Sequence, residues 1–362
     1  MAAKLLLCLA LLTTGSIATS DVDFNVQPFK IDLSSDIPRL HSLVNNSRLP
    51  AQVLYDVGQD KGIELDFLAQ LKSEWVGSYD WESQQAQLNE HQIHFVHEKS
   101  TDPDAIPIIL LHGWPGSFFE FAPIIKPLTQ TGITSTGKNV SFNVVVPSLP
   151  GFRCWGTRLT RCMELIGYAF RTHLPYIFTD VPQGSAVGYS LYKSFNTSVR
   201  AAHFSFIPFL PPSPEDLAAK NITISSVQNV SEREGSMKLW SDPRAGTPPS
   251  QLTSAAILTS VSLYYLTSTF LSSIWIYTSN PEIFRTQYTP APTDAPLLFS
   301  ELEYNISVRT RTEPDRPITM ANVTNNLVRY VVRDFGGHFP GLDNPPAMVE
   351  DIREIGQHFV GN

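Results

Sequence analysis

Near residue 105 a short wholly apolar run is cut off by a turn. Ile106, Ile108, Ile109, Leu110 and Leu111 follow one another with only Pro107 between them, and His112-Gly113-Trp114-Pro115-Gly116-Ser117 comes at once. Such a run, bounded by Gly and Pro, reads as a strand buried on both faces, with the proline confined to its start. A helical stretch, Phe118–Leu128, and a second apolar run, Phe142–Val146, come next. The latter ends at Pro147-Ser148-Leu149-Pro150-Gly151-Phe152. Strand, turn, helix, strand is the rhythm of a parallel α/β sheet with helices on both faces, and it restricts where a site can lie. In open sheets of this kind ligands bind beyond the carboxyl ends of the strands, where the His112-Gly113-Trp114-Pro115 turn stands.

Composition narrows the function. Of 362 residues, 42% are hydrophobic and 17% charged, which excludes a disordered chain. The net charge of −8, with no cluster of Lys or Arg, excludes the basic footprint that nucleic acid requires. Three cysteines cannot build a disulfide scaffold.

The first 20 residues read as a secretory signal: Lys4, the apolar run Leu5–Leu12, and small residues through Ser20. About eight strongly apolar residues fall short of the ~20 that a membrane span needs, so no stable transmembrane span is expected there. Cleavage removes Cys8 and leaves Cys154 and Cys162, which suit one short-loop bridge or two free thiols. Seven N-x-S/T sequons follow, at Asn45, Asn139, Asn196, Asn221, Asn229, Asn305 and Asn322, where chance gives roughly two or three. Together these features point to a secreted glycoprotein. From Ala245 to Pro281 no charged residue occurs. Its Ser and Thr content, with Pro248-Pro249, reads as helices packed over a core rather than as a membrane helix. The strand Leu327–Val332 then leads into Gly336-Gly337-His338-Phe339, and Ala347–Phe359 reads as an amphipathic helix.

These motifs resemble the microsomal-type epoxide hydrolases of the α/β-hydrolase fold. Pro28–Ile31 through Ser47–Pro50, Tyr79-Asp80-Trp81 and Leu88-Asn89 are similar to that family's N-terminal domain. Leu111–Ser117 matches its HGWPGS turn, Pro147–Phe152 its PSLPGF segment, Leu263–Thr267 through Ile276-Tyr277 its lid helices, and Gly336–Pro340 its histidine loop. The resemblance implies an α/β-hydrolase core in two halves, residues 99–199 and 291–362. An N-terminal segment at 21–98 and a shortened helical lid at 200–290 complete it. It also implies an epoxide and water as small-molecule partners, and no metal or organic cofactor. A carboxylate attacks an epoxide carbon, lid tyrosines protonate the oxide, and a histidine oriented by an acid activates water against the ester.

Carried over by position, His338 is the base, its Gly-Gly lead-in giving a loop that exposes the ring. Tyr277 is a lid tyrosine, and Gly113 and Trp114 line the oxyanion site. Glu313, 25 residues before His338, is the orienting acid, with Glu303 in reserve; another register puts Asn305 there instead. The nucleophile is the main departure. Counting back from Gly184-Ser185, its position falls on Pro182, which carries no nucleophile and no N–H. Asp180 is the nearest carboxylate, and Tyr176–Thr179 before it reads as the needed strand. Phe152 to Gly184 and the first lid helix are shorter than in the family, as if segments had been lost. Such a loss threatens the elbow strand and leaves a non-catalytic ligand-binding protein as one alternative. Another is a serine hydrolase using Ser190 in Gly188-Tyr189-Ser190. His91-x-x-His94-x-x-His97 offers metal-ligand residue types, but on a strand its members point to opposite faces.

Overall fold

A computed structural model describes residues 32–52, 63–89, 95–149, 176–179, 182–195, 198–206, 253–279, 291–302 and 326–359. Seven strands form one sheet in the order β1-β5-β2-β6-β7-β8-β9. They are β1 Phe95–Glu98, β2 Ile106–Leu111, β5 Phe142–Pro147, β6 Tyr176–Thr179, β7 Ala201–Phe204, β8 Leu297–Leu302 and β9 Leu327–Arg333. A two-stranded ribbon, β3 Gly132–Ile133 with β4 Asn139–Val140, stands apart. Edge strand β1 runs antiparallel to β5, and every other pairing in the large sheet is parallel.

The continuous apolar run is explained by burial on both faces. In β2, Ile106, Ile108 and Leu110 enter one core with Phe142, Val144 and Val146. Ile109 and Leu111 enter the other with Ala202, Phe204, Leu297 and Phe299. The first core is roofed by helices α1 (Ile37–Asn46), α4 (Ala122–Thr129) and α9 (Pro345–Gly356). The second is roofed by α5 (Pro182–Ser194) through Tyr189, Leu191 and Tyr192.

The expected helix Phe118–Leu128 divides in two. A 3-10 turn, Phe118–Phe121, is capped by the Ser117 hydroxyl accepting from the Phe119 N–H, and α4 begins at Ala122. Pro123 at the start of α4 suits a position whose N–H has no helical partner. The feared loss of the elbow strand is overturned. Strand β6 pairs with β2 from Ile108↔Tyr176 to Leu111↔Thr179 and with β7 from Tyr176↔Ala201 to Thr179↔Phe204, so the sheet is unbroken at its centre.

Helices α2 (Leu65–Gly77) and α3 (Trp81–Asn89) complete the described N-terminal segment. The uncharged stretch forms two helices, α6 (Ser254–Leu266) and α7 (Phe270–Ser279). Among the described residues no helix is long and apolar enough to cross a membrane. The N-terminal segment braces α6: Trp75 Nε1 donates to Ser262 Oγ at 2.9 Å, and the Tyr79 hydroxyl lies 3.0 Å from Thr259 Oγ1. Both α6 partners are fully buried.

Candidate active site

The carboxyl ends of β2, β5, β6, β7 and β9 share one edge of the sheet, and the loops that leave them meet there. His112, the first residue after β2, is fully buried. Its Nε2 accepts from the Leu149 N–H at 2.9 Å, so its proton is on Nδ1, which faces the Gly113 carbonyl at 3.3 Å. The turn after β2 is thereby tied to the loop after β5. A further tie comes from α6, where the Tyr264 hydroxyl donates to the Gly116 carbonyl at 2.6 Å. The Trp114-Pro115 peptide is cis. The Trp114 and Tyr264 rings each stand 6.1 Å from Phe270 of α7.

His338 arrives from the opposite side. The loop after β9 turns at Gly336, whose φ of +123° and close approach to Leu302 exclude a side chain. The ring was expected to be exposed; it is 2% exposed instead. Phe339 lies edge-on to it at 5.0 Å and Phe206 at 6.5 Å. Its ring N–H donates to the Trp114 backbone carbonyl. Burial pushes the imidazole down to about 4, against the opposing pull of that carbonyl. At neutral pH it is therefore uncharged and able to accept a proton.

Asp343 escaped the sequence reading. It ends the short helix α8 (Pro340–Asp343) and is 3% exposed. Its Oδ2 accepts from the Gly337 N–H at 3.0 Å and from the Phe339 N–H at 3.2 Å, the two amides flanking His338. Burial pushes its carboxyl up to about 7, and the two N–H groups pull the other way. The available signal was an acid five residues after a histidine in a Gly-Gly loop, close enough to fold back on it. Arg333 fixes the start of the same loop. It pairs with the fully buried Asp351 of α9, which also accepts from Ser300 Oγ at 2.8 Å; His203 Nε2 lies 2.8 Å from that hydroxyl.

The other expected residues divide between described and undescribed chain. Asp180, Glu313, Glu303, Asn305, Cys154, Cys162, His91, His94 and the sequons at Asn196, Asn221, Asn229 and Asn322 lie outside the described residues, as does the signal segment. Tyr277 belongs to α7, but its side chain is outside them too. Asn45 and Asn139 are exposed. His97 sits in β1 opposite Val145. No group of three or more metal-ligating side chains occurs among the described residues. Ser190 lies inside α5, with its hydroxyl donating to the Ala186 carbonyl at 2.8 Å, so it is not on a strand-to-helix turn. Gly113 and Trp114 present carbonyls to His112 and His338.

Among known proteins, the chain is similar to epoxide hydrolases. Residues 26–121 match the family described as "Epoxide hydrolase N terminus". The chain is 21% identical over 420 residues to juvenile hormone epoxide hydrolase 2 of Ctenocephalides felis, covering 96% of this chain and 88% of that one. The chain is a relative of the epoxide hydrolases. A stretch of 153 residues is 31% identical to epoxide hydrolase 1 of Sus scrofa, covering 38% of this chain and 34% of that one. The fold is the α/β-hydrolase fold. The crystal structure of juvenile hormone epoxide hydrolase from the silkworm Bombyx mori superimposes with a TM-score of 0.73 at 19% identity, over 92% of this chain and 94% of that one. Within this epoxide-hydrolase kinship, the edge where His338 meets Trp114 is the candidate site.

Proposed function

We propose that the protein opens an apolar epoxide to a vicinal diol through an ester on its own carboxylate. The observation that carries the reading is a neutral, buried His338 held against the Trp114 carbonyl at the edge where β6 hands over to α5. Only Asp180 and Val181 separate the end of β6 from the start of α5, so Asp180 is the one carboxylate in that connection. In the proposed sequence an Asp180 oxygen attacks an oxirane carbon, the C–O bond breaks, and the Tyr277 phenol protonates the oxide. Water then attacks the ester carbonyl while His338 takes one of its protons and Glu313 orients the ring. The ester C–O bond breaks, His338 passes that proton to the leaving alkoxide to complete the diol, and the second water proton returns to the Tyr277 phenolate, leaving Asp180 a carboxylate. The reaction consumes only epoxide and water.

Single-turnover reaction in ¹⁸O water tests the sequence of bonds. The label is expected in the peptide carrying Asp180, with unlabelled first-turnover diol. Label in the diol on the first turnover, or full activity in Asp180→Asn, refutes the reading. A non-catalytic binding protein is the second reading. It is favoured by the register of the family resemblance, which, counted back from Gly184-Ser185, puts Pro182 at the nucleophile position. Binding of an apolar epoxide with no diol formed decides for it. The signal-like residues 1–20 and the exposed Asn45 and Asn139 support a secreted, glycosylated protein, tested by the mass lost on enzymatic deglycosylation.

A further inference from the structure

We infer that Asp343 is the positioning residue of the histidine loop, holding His338 against Trp114 through the backbone on either side of it. The inference rests on the proposed role of His338 as base. A loop that leaves an edge strand through Gly-Gly has little of its own to fix a ring at its tip. Here one carboxylate oxygen gathers the N–H groups of residues 337 and 339, so the residue between them has both peptide neighbours fixed. Asp343 does not bond the His338 ring, whose N–H goes to the Trp114 backbone instead. It acts on the ring only by fixing the chain that carries it. The arrangement also has a conformational source: Leu342 and Asp343 both donate their backbone N–H to the Phe339 carbonyl, which folds α8 back under the loop. Gly341 is pressed against the Glu120 carbonyl so closely that a Cβ would lie 2.6 Å from it, and this keeps the fold-back tight. Because both bonds go to Oδ2, one acceptor oxygen suffices, and Asn has one. Leu, of similar volume, has none.

The test compares Asp343→Leu and Asp343→Asn in the full chain by carbethoxylation at pH 7, with modified histidines identified by mass spectrometry. Buried His112 and His203 serve as internal references, since both are fully buried and distant in sequence from the loop. In Asp343→Leu the modification of His338 is expected to rise about tenfold or more while the references stay protected, as local opening requires. In Asp343→Asn protection of His338 returns to that of the unmutated protein. Protection unchanged in Asp343→Leu overturns the inference; so does exposure of all three histidines together, which signals general loosening. Should Asp343→Leu not fold, amide exchange in the unmutated chain decides. Gly337 and Phe339 are expected to exchange at least about a hundredfold slower than an unstructured peptide, and unstructured rates there overturn the inference. With an epoxide that is turned over, Asp343→Leu slows hydrolysis of the ester, so kcat and KM fall together with kcat/KM unchanged, and a fall in kcat/KM with kcat unchanged overturns it. If the unmutated protein forms no diol, the reading of His338 as base falls, and the protection pattern still decides what holds the loop.

Discussion

Replacing Asp343 by Asn removes one titrating group and keeps its acceptor, so its effect on stability should depend on pH in a sense fixed by the structure. The carboxyl is 3% exposed, and burial pushes it from an ordinary 3.8 up to about 7. An acid raised in the folded state contributes stability that is present below about 3.8 and lost as pH climbs through about 7. The displacement corresponds to roughly 4 kcal/mol. Asn pays no such penalty. Urea unfolding of both proteins between pH 4 and 8.5 should therefore show the wild type losing roughly 4 kcal/mol relative to Asp343→Asn as pH rises, mostly between 4 and 7. His338 supplies the opposite control. Depressed from 6.5 to about 4, it contributes stability present above 6.5 and lost as pH falls through about 4, roughly 3 kcal/mol. His338→Gln should show the reverse slope against the wild type. In the wild type the two opposed slopes largely offset one another between about 4 and 6.5. A difference between wild type and Asp343→Asn that stays constant within about 1 kcal/mol from pH 4 to 8.5 would refute the reasoning.

Three further outcomes follow from packing. Gly184→Ala places a Cβ 2.2 Å from the Leu111 carbonyl and 2.7 Å from that of His112, both backbone; it should cost about 3 kcal/mol or more by urea midpoint. Arg333→Leu leaves Asp351 buried without its cation and should cost about 3–5 kcal/mol, and a loss under about 1 kcal/mol would mean that Ser300 alone satisfies it. Tyr264→Phe removes one bond to the Gly116 carbonyl, costing about 1 kcal/mol in unfolding experiments.

What was legible in the sequence was what local chemistry writes. The apolar run before His112 is readable because burial on both faces of a central strand leaves no polar position, and β2 occupies Ile106–Leu111 as read. The helices of the uncharged stretch are readable because Thr259 and Ser262 suit a helix packed on protein, and Trp75 and Tyr79 provide that packing. His338 is readable from its glycines. Its burial was not, because a Gly-Gly loop gives freedom of φ and says nothing of what closes over the tip. That closure comes from Phe206, Phe339 and the Trp114 carbonyl, two of which lie far away in sequence. Asp343 was missed for a related reason: its partners are backbone amides, which have no signature of their own.

Between the end of β6 and the body of α5 stand Asp180, Val181 and Pro182. Pro182 opens α5, where a helix loses nothing by lacking that N–H. An elbow does lose something, since the amide after a nucleophile is a common donor to the developing oxyanion. With Pro182 itself in the nucleophile's place, the chain has no attacking group there. With a nucleophile at 181, the following residue has no N–H to give. With Asp180 in that role, the next residue is Val181, which carries one, and the proline falls a position later as the first residue of the helix. Of the three positions between strand and helix body, only the first keeps both the carboxylate and the donor that ester chemistry requires. The intact pairing of β6 on both sides supplies the strand from which such a turn must spring.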